Sequence, residues 1–201
     1  MSAIFTTTSE TTAARKELVA YINTGTSYED PTWTIIGWHC TDSSISVEVD
    51  TDTQKDILGN VFTDASTPEL SQEFDPLPIR KGTTIDALQQ MLHDQWMDQN
   101  FSKTYDTLIV YLYAGDNSGG NPGTDGCKYD AHRFPASTLI PGDFGGSAED
   151  PLNRPVTIYY GGTVEKGTAT IKTSDSSGTV VFTKSGNVEN RLQNSKNLIT
   201  K

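Results

Sequence analysis

The sequence predicts a mainly β chain with many turns, one α-helix, long loops and terminal arms. Three observations carry this. Short apolar runs recur between Gly- and Pro-containing turns; Ser44–Asp50 alternates strictly between apolar and polar residues; and only Thr83–Gln99 has a clean helical period. With 201 residues, 34% of them hydrophobic, the chain is lean but long enough to bury one core.

The elements follow in order. Residues 1–15 are rich in Thr, Ser and Ala, lack a period, and read as an N-terminal arm. Lys16–Thr24 suits a helix through Leu18, Tyr21 and Ile22, with Gly25 as a stop, and equally suits a strand through Val19, Tyr21 and Ile22. Trp33–Trp38 is an apolar strand. In Ser44–Asp50, Ile45, Val47 and Val49 alternate with Ser46, Glu48 and Asp50, which predicts one buried and one polar face. Asp50-Thr51-Asp52 then reads as a turn and Lys55–Thr63 as a returning strand bulged at Gly59. Pro68, Pro76 and Pro78 make 64–80 a loop with at most one short strand.

The helix over 83–99 opens on Thr83 and Asp86, which have capping-box spacing. Ile85, Leu88, Leu92 and Trp96 form its expected core face, with Met91 beside them. Thr107–Tyr113 is a nearly continuous apolar strand, expected at the centre of a sheet. Residues 114–126 are a Gly-, Asn- and Asp-rich loop. Arg133–Ile140 is a strand interrupted by Pro135, and 141–155 is a loop. Val156–Tyr160, Gly167–Thr173 and Thr179–Thr183 are strands of a Thr-rich, half-exposed sheet. The main domain therefore spans 16–184, and the polar residues 185–201 form a C-terminal arm.

Fifteen Lys and Arg stand against twenty-six Asp and Glu, a net charge of −11. Such a surface repels a phosphate backbone, which argues against sequence-independent DNA binding and fits ordinary solubility or a surface DNA slides past. No apolar run reaches the ~20 residues of a membrane span. The N-terminus has neither the basic nor the apolar region of a secretory signal, so the chain reads as one that stays in the cytosol where it is made.

Catalytic and metal chemistry find little support. His39, Cys40, Cys127 and His132 are the candidate metal ligands, but adjacent strand residues such as His39 and Cys40 face opposite ways. A Cys40–Cys127 bridge stays open at this point. The Asp116–Asn121 stretch lacks the ligand spacing of a calcium loop. Ser43, Ser102, Ser137 and Ser147 all lack a nucleophile-elbow setting, and Asp50, Asp52 and Asp56 suit a solvated turn. Trp33 and Trp38, five apart, fall on opposite strand faces and suit core packing better than a sugar-stacking platform. No catalytic residue, cofactor or metal is expected.

The order of elements carries a resemblance. It runs from Trp33-Thr34-Ile35-Ile36-Gly37 through the acidic stretch 43–59 to Pro76-Leu77-Pro78-Ile79-Arg80-Lys81-Gly82-Thr83, then to a helix, an apolar strand and Tyr160–Ala169. Over residues 16–184 this resembles the tail tube (major tail) proteins of siphophages and related prophages, and it favours the strand reading of Lys16–Thr24. The resemblance implies a β-sandwich or barrel-like domain flanked by a helix, and a virion structural protein with no enzymatic activity. Six subunits would join their sheets into a ring, and rings would stack through loops and arms into a hollow tube with an electronegative lumen. DNA would pass without specific binding. Partners would be other copies, then tape measure, tail terminator and distal tail proteins, with assembly in the host bacterial cytoplasm and no membrane. Glu48 and Asp50 become candidate lumen-facing acids. The alternatives are a tail-associated receptor- or carbohydrate-binding β-sandwich module, a tail terminator, or a contractile-tail tube.

Overall fold

The computed structural model describes residues 13–37, 40–79, 87–116, 127–149, 152–172 and 179–185. Eleven strands and one α-helix are found among them. They are β1 (Leu18–Asn23), β2 (Trp33–Ile36), β3 (Ile45–Glu48), β4 (Thr51–Lys55), β5 (Val61–Ala65), β6 (Glu69–Phe74), α1 (Ala87–Asp98), β7 (Thr104–Asp116), β8 (Lys128–Pro141), β9 (Val156–Tyr160), β10 (Glu165–Lys172) and β11 (Thr179–Lys184). Nine strands form one antiparallel sheet in the order β2-β1-β7-β8-β9-β6-β3, with β10 and β11 branching from β8. β4 and β5 form a separate two-stranded hairpin.

The branch explains the architecture. One edge of β8 pairs with β7 along most of its length. On the other edge, residues 128–133 pair with β10 and residues 138–141 with β9. Pro135 sits where the partner changes, so its missing N–H leaves no ladder bond unmade. Instead of interrupting the strand, it marks the corner at which two wings diverge. Ala136 N donates to the Gly161 carbonyl there at 3.2 Å. Gly162 has φ +85° and lies so close that a Cβ would stand 2.9 Å from Pro135 Cγ, so this corner requires glycine.

Each wing closes over one face of the β1-β7-β8 sheet and makes its own core. Ala20, Ile22, Ile36, Phe74, Leu139 and Ile158 pack under α1 on one side; Tyr21, Leu108, Val110, Tyr129, Ala169 and Val180 pack under β10 and β11 on the other. β1 supplies both cores by strict alternation, so its run Val19–Ile22 is apolar at every position. Burying each large aliphatic side chain contributes about 1.5–3 kcal/mol. Lys16–Thr24 is thus resolved as strand, preceded by a 3-10 turn at Arg15–Glu17.

The helix rests on Leu88 and Leu92, both buried in the first core, with Met91 beside them. Ile85, Thr83 and Asp86 lie outside the described residues. Trp96, assigned to the core face by its spacing, is instead 45% exposed at the margin and meets Phe144 at a ring-centroid distance of 6.2 Å. Gln95 takes the inward position, where its Nε2 donates to the Leu139 carbonyl at 2.7 Å; its buried Oε1 meets no partner among the described residues.

A second correction concerns Asp50–Thr63. Of the predicted turn at 50–52, Thr51 and Asp52 already belong to a strand, since Thr51–Lys55 pairs with Val61–Ala65, and Asp50 stands just before it. The reversal falls at Asp56–Asn60, and Gly59 is a turn residue with φ +85° rather than a bulge. Asp56 builds this turn: Oδ1 accepts from the Leu58 and Asn60 amides, both at 2.8 Å, and Oδ2 accepts from Asn60 Nδ2 at 2.8 Å.

Candidate functional site

The surface around β3 and the hairpin departs most from an ordinary solvent-facing surface. Among the described residues β3 pairs with β6 alone, through Ile45↔Gln72 to Glu48↔Glu69, and its other edge is open. The apolar side of Ser44–Asp50, expected to be buried, is largely uncovered: Ile45 is half-buried, Val47 is 60% exposed and Val49 is exposed too. β3 is the last strand of its wing, and none of the described residues covers this side of it. Every residue of β4 and β5 is exposed as well, and at the tip Ile57 is fully exposed and Leu58 81% exposed. Leaving Ile57 and Leu58 in water forfeits about 1.5–3 kcal/mol each. A two-stranded hairpin is also marginal by itself in water.

Acids gather on the other side of the same strands. Glu48 lies directly opposite Glu69, and Asp52 directly opposite Asp64. Like charges in directly opposed positions destabilise a ladder. Glu73, two residues beyond Ser71 on β6, shares the face of Glu48 and Glu69 and is exposed. Strands β3, β6 and β9 (ISVE, ELSQEF, VTIYY) contain these three acids and no Lys or Arg. Asp50 follows β3 and is exposed; its amide donates to Ser66 Oγ at 3.0 Å and its carbonyl accepts from Ser66 N at 2.8 Å. The Asp56 carboxyl is held below the usual carboxylate range by the Asn60 side chain and the turn amides.

Two concavities flank the sheet. One, of about 280 Å³, lies between the β1–β2 pair and Cys40–Ser43; Phe74, Ala20 and Ile36 are among its lining and Arg15 and Lys16 stand at it. The other, of about 550 Å³, is lined by Tyr111, Tyr113, Asp130, His132 and Lys166. Tyr111 OH meets His132 Nδ1 at 3.0 Å, and burial, with Lys166 nearby, lowers the imidazole pKa.

A charged network ties β7 and β8 to the β1–β2 connection and to the β10–β11 wing. The Arg133 guanidinium binds the Asp106 carboxylate in a fork, with contacts of 2.6–3.1 Å. It also donates to the Tyr28 carbonyl at 2.7 Å and lies 3.7 Å from the Tyr28 ring centroid. Tyr28 OH donates to Glu165, which also receives Lys184 Nζ. The Arg133–Asp106 pair is buried, and nothing in the sequence marks these residues, which lie 27 apart. A buried fork of this kind fixes strand register more than it adds stability.

The remaining residues singled out from the sequence lie apart from one another. Trp33 is buried, with Arg133 5.5 Å from its ring, while Trp38 and His39 lie outside the described residues. Cys40 is half-buried and Cys127 buried, and the two do not form a disulfide with each other. No group of three potential metal ligands occurs among the described residues. Ser43 Oγ accepts from Gln72 Nε2 at 2.9 Å, and Ser137 Oγ shares a 2.6 Å hydrogen bond with Thr107. No helix among the described residues is long and apolar enough to cross a membrane.

No family model matches the chain, and no curated protein matches it. Solved structures resemble it distantly. A chain of the sheath–tube complex of an extracellular contractile injection system (PVC) is 14% identical, covering 79% of this chain and 93% of that one, with a TM-score of 0.44. A chain of the anti-feeding prophage tube-terminating cap is 13% identical, covering 82% and 100%, at 0.41. A chain of the native gene transfer agent virion is 9% identical, covering 77% and 98%, at 0.43.

Proposed function

We propose that this chain is a structural subunit that assembles with copies of itself into stacked, six-membered rings, forming a phage-type tail tube through which DNA passes. The observation that carries the reading is the uncovered β3–β4–β5 region: an open strand edge, an exposed apolar strand face and a hairpin whose apolar tip buries against nothing among the described residues. A ring of identical subunits pairs such edges and covers such surfaces.

The acidic face is the complementary half of the argument. Glu48, with Glu69 and Glu73, would look into the channel and Asp50 would stand at its rim, so that phosphates slide past without binding. The domain over 16–184 would form the ring, and the arms 1–15 and 185–201 would tie ring to ring. Tape measure, terminator and distal tail proteins would cap and fill the tube in the virion, after assembly in the host cytoplasm. The function would be structural rather than enzymatic. Negative-stain microscopy of the purified full chain, alone and with those tail proteins, tests the reading; hollow filaments of uniform width are expected, and dispersed single particles under all conditions would refute it.

One observation favours a second reading. The concavity at Tyr111, Tyr113 and His132 offers an exposed aromatic ring beside hydrogen-bonding groups, as a glycan-binding module would. Glycan binding by a non-assembling chain would favour that reading over the first.

A further inference from the structure

We propose that the groove between the β1–β2 pair and Cys40–Ser43 receives the hairpin tip, Ile57 and Leu58, of a second copy of this chain. The proposal rests on the self-assembly reading above and names the contact that would join two copies.

Shape comes first. The groove is a compact cavity of about 280 Å³ with an apolar floor that includes Phe74, and Gly37 opens it: a Cβ at that position would stand 3.1 Å from the Phe74 ring. The tip is narrow: Asp56 accepts three hydrogen bonds within the turn, which fix the turn's shape and present Ile57 and Leu58 together whenever the hairpin is formed. A preorganised aliphatic pair suits a groove of this size.

Charge selects the same pairing. Residues 50–65 carry Asp50, Asp52, Asp56 and Asp64 against Lys55, a net 1 − 4 = −3. The groove carries Arg15 and Lys16, with Asp42 as its one acid. Arg15 donates to the carbonyl oxygens of Ser43 and Leu18, neutral partners that leave its positive charge to the groove. On a chain of net charge −11, a basic-rimmed apolar groove is a surface an acidic hairpin can approach without repulsion.

Cysteine pairing tests the contact in the full-length chain. In a Cys40→Ser background, chains carrying Leu58→Cys are mixed with differently tagged chains carrying Thr41→Cys, at the groove wall, and mildly oxidised. An intermolecular disulfide between the two tags is expected. Its yield should exceed about tenfold that of a control pair, Leu58→Cys with the exposed Thr163→Cys. Thr41→Trp, which fills the groove from an exposed position, should raise the concentration needed for assembly about tenfold, as should Ile57→Ser with Leu58→Ser. Assembly without the cross-link, and undiminished in Thr41→Trp, would overturn the groove while leaving self-assembly standing. So would a cross-link that appears only after residues 1–12 are removed, since the chain's own N-terminus would then be the occupant. A chain that neither cross-links nor associates at any concentration would overturn both.

Discussion

Asp52 lies directly opposite Asp64 across the β4–β5 hairpin, in a segment where every side chain is exposed. Two acids facing each other on a hairpin that packs on none of the other described elements hold it closer to opening, not further from it. The hairpin therefore reads as an element completed by a partner.

Removing one of those charges should strengthen the hairpin. Asp64→Asn is expected to gain at most about 0.5 kcal/mol at low salt, with the gain shrinking as salt is added. Hydrogen exchange of the Thr51–Lys55 amides, compared with wild type at two ionic strengths, checks it.

The edge of β3 should matter for assembly and little for folding. Val47→Pro, opposite Leu70 and in neither core, is expected to leave a folded chain that forms no tubes. Circular dichroism reports the fold and negative-stain microscopy the tubes; normal-length tubes from this variant would remove the role given to the β3 edge.

The Arg133 fork should matter for folding. Asp106→Ala leaves a buried guanidinium without its carboxylate, which costs about 3–5 kcal/mol. Equilibrium denaturant unfolding measures this, and a loss below about 1 kcal/mol would mean the Arg133 charge is compensated by other groups.

These outcomes also separate what the sequence makes legible from what it hides. Thr107–Tyr113 reads as a central strand because it is apolar on both faces, and β7 has cores on both sides. The helix is legible by period, yet its roll is not: a tryptophan outranks a glutamine as a core residue until the Leu139 carbonyl appears beside Gln95. The hairpin turn is written in Asp56-Ile57-Leu58-Gly59-Asn60, where an Asx residue precedes a glycine and an asparagine. The opposition of Glu48 and Glu69 is hidden, because twenty-one residues separate them and only the register of β3 on β6 brings them together.

Acid should loosen the chain through His132. Burial and Lys166 lower its pKa from the ordinary 6.5, so the folded state holds the neutral ring; Asp130 alone pulls the other way, and Tyr111 bonds its Nδ1. Because the unfolded state takes up the proton first, stability falls as pH drops below about 6.5 and levels off below the folded value. His132→Asn should flatten that part of the profile, as read from melting temperature between pH 7 and pH 5; an unchanged slope would assign the loss to other groups.

The central claim is that this chain is completed by copies of itself. Sedimentation velocity of the purified full chain across a wide concentration series tests it most directly. The account predicts that a monomer boundary gives way to large, rod-like species as concentration rises, and that Ile57→Ser with Leu58→Ser shifts this transition upward. A single monomer boundary at every concentration, unchanged when other tail proteins are added, would contradict it.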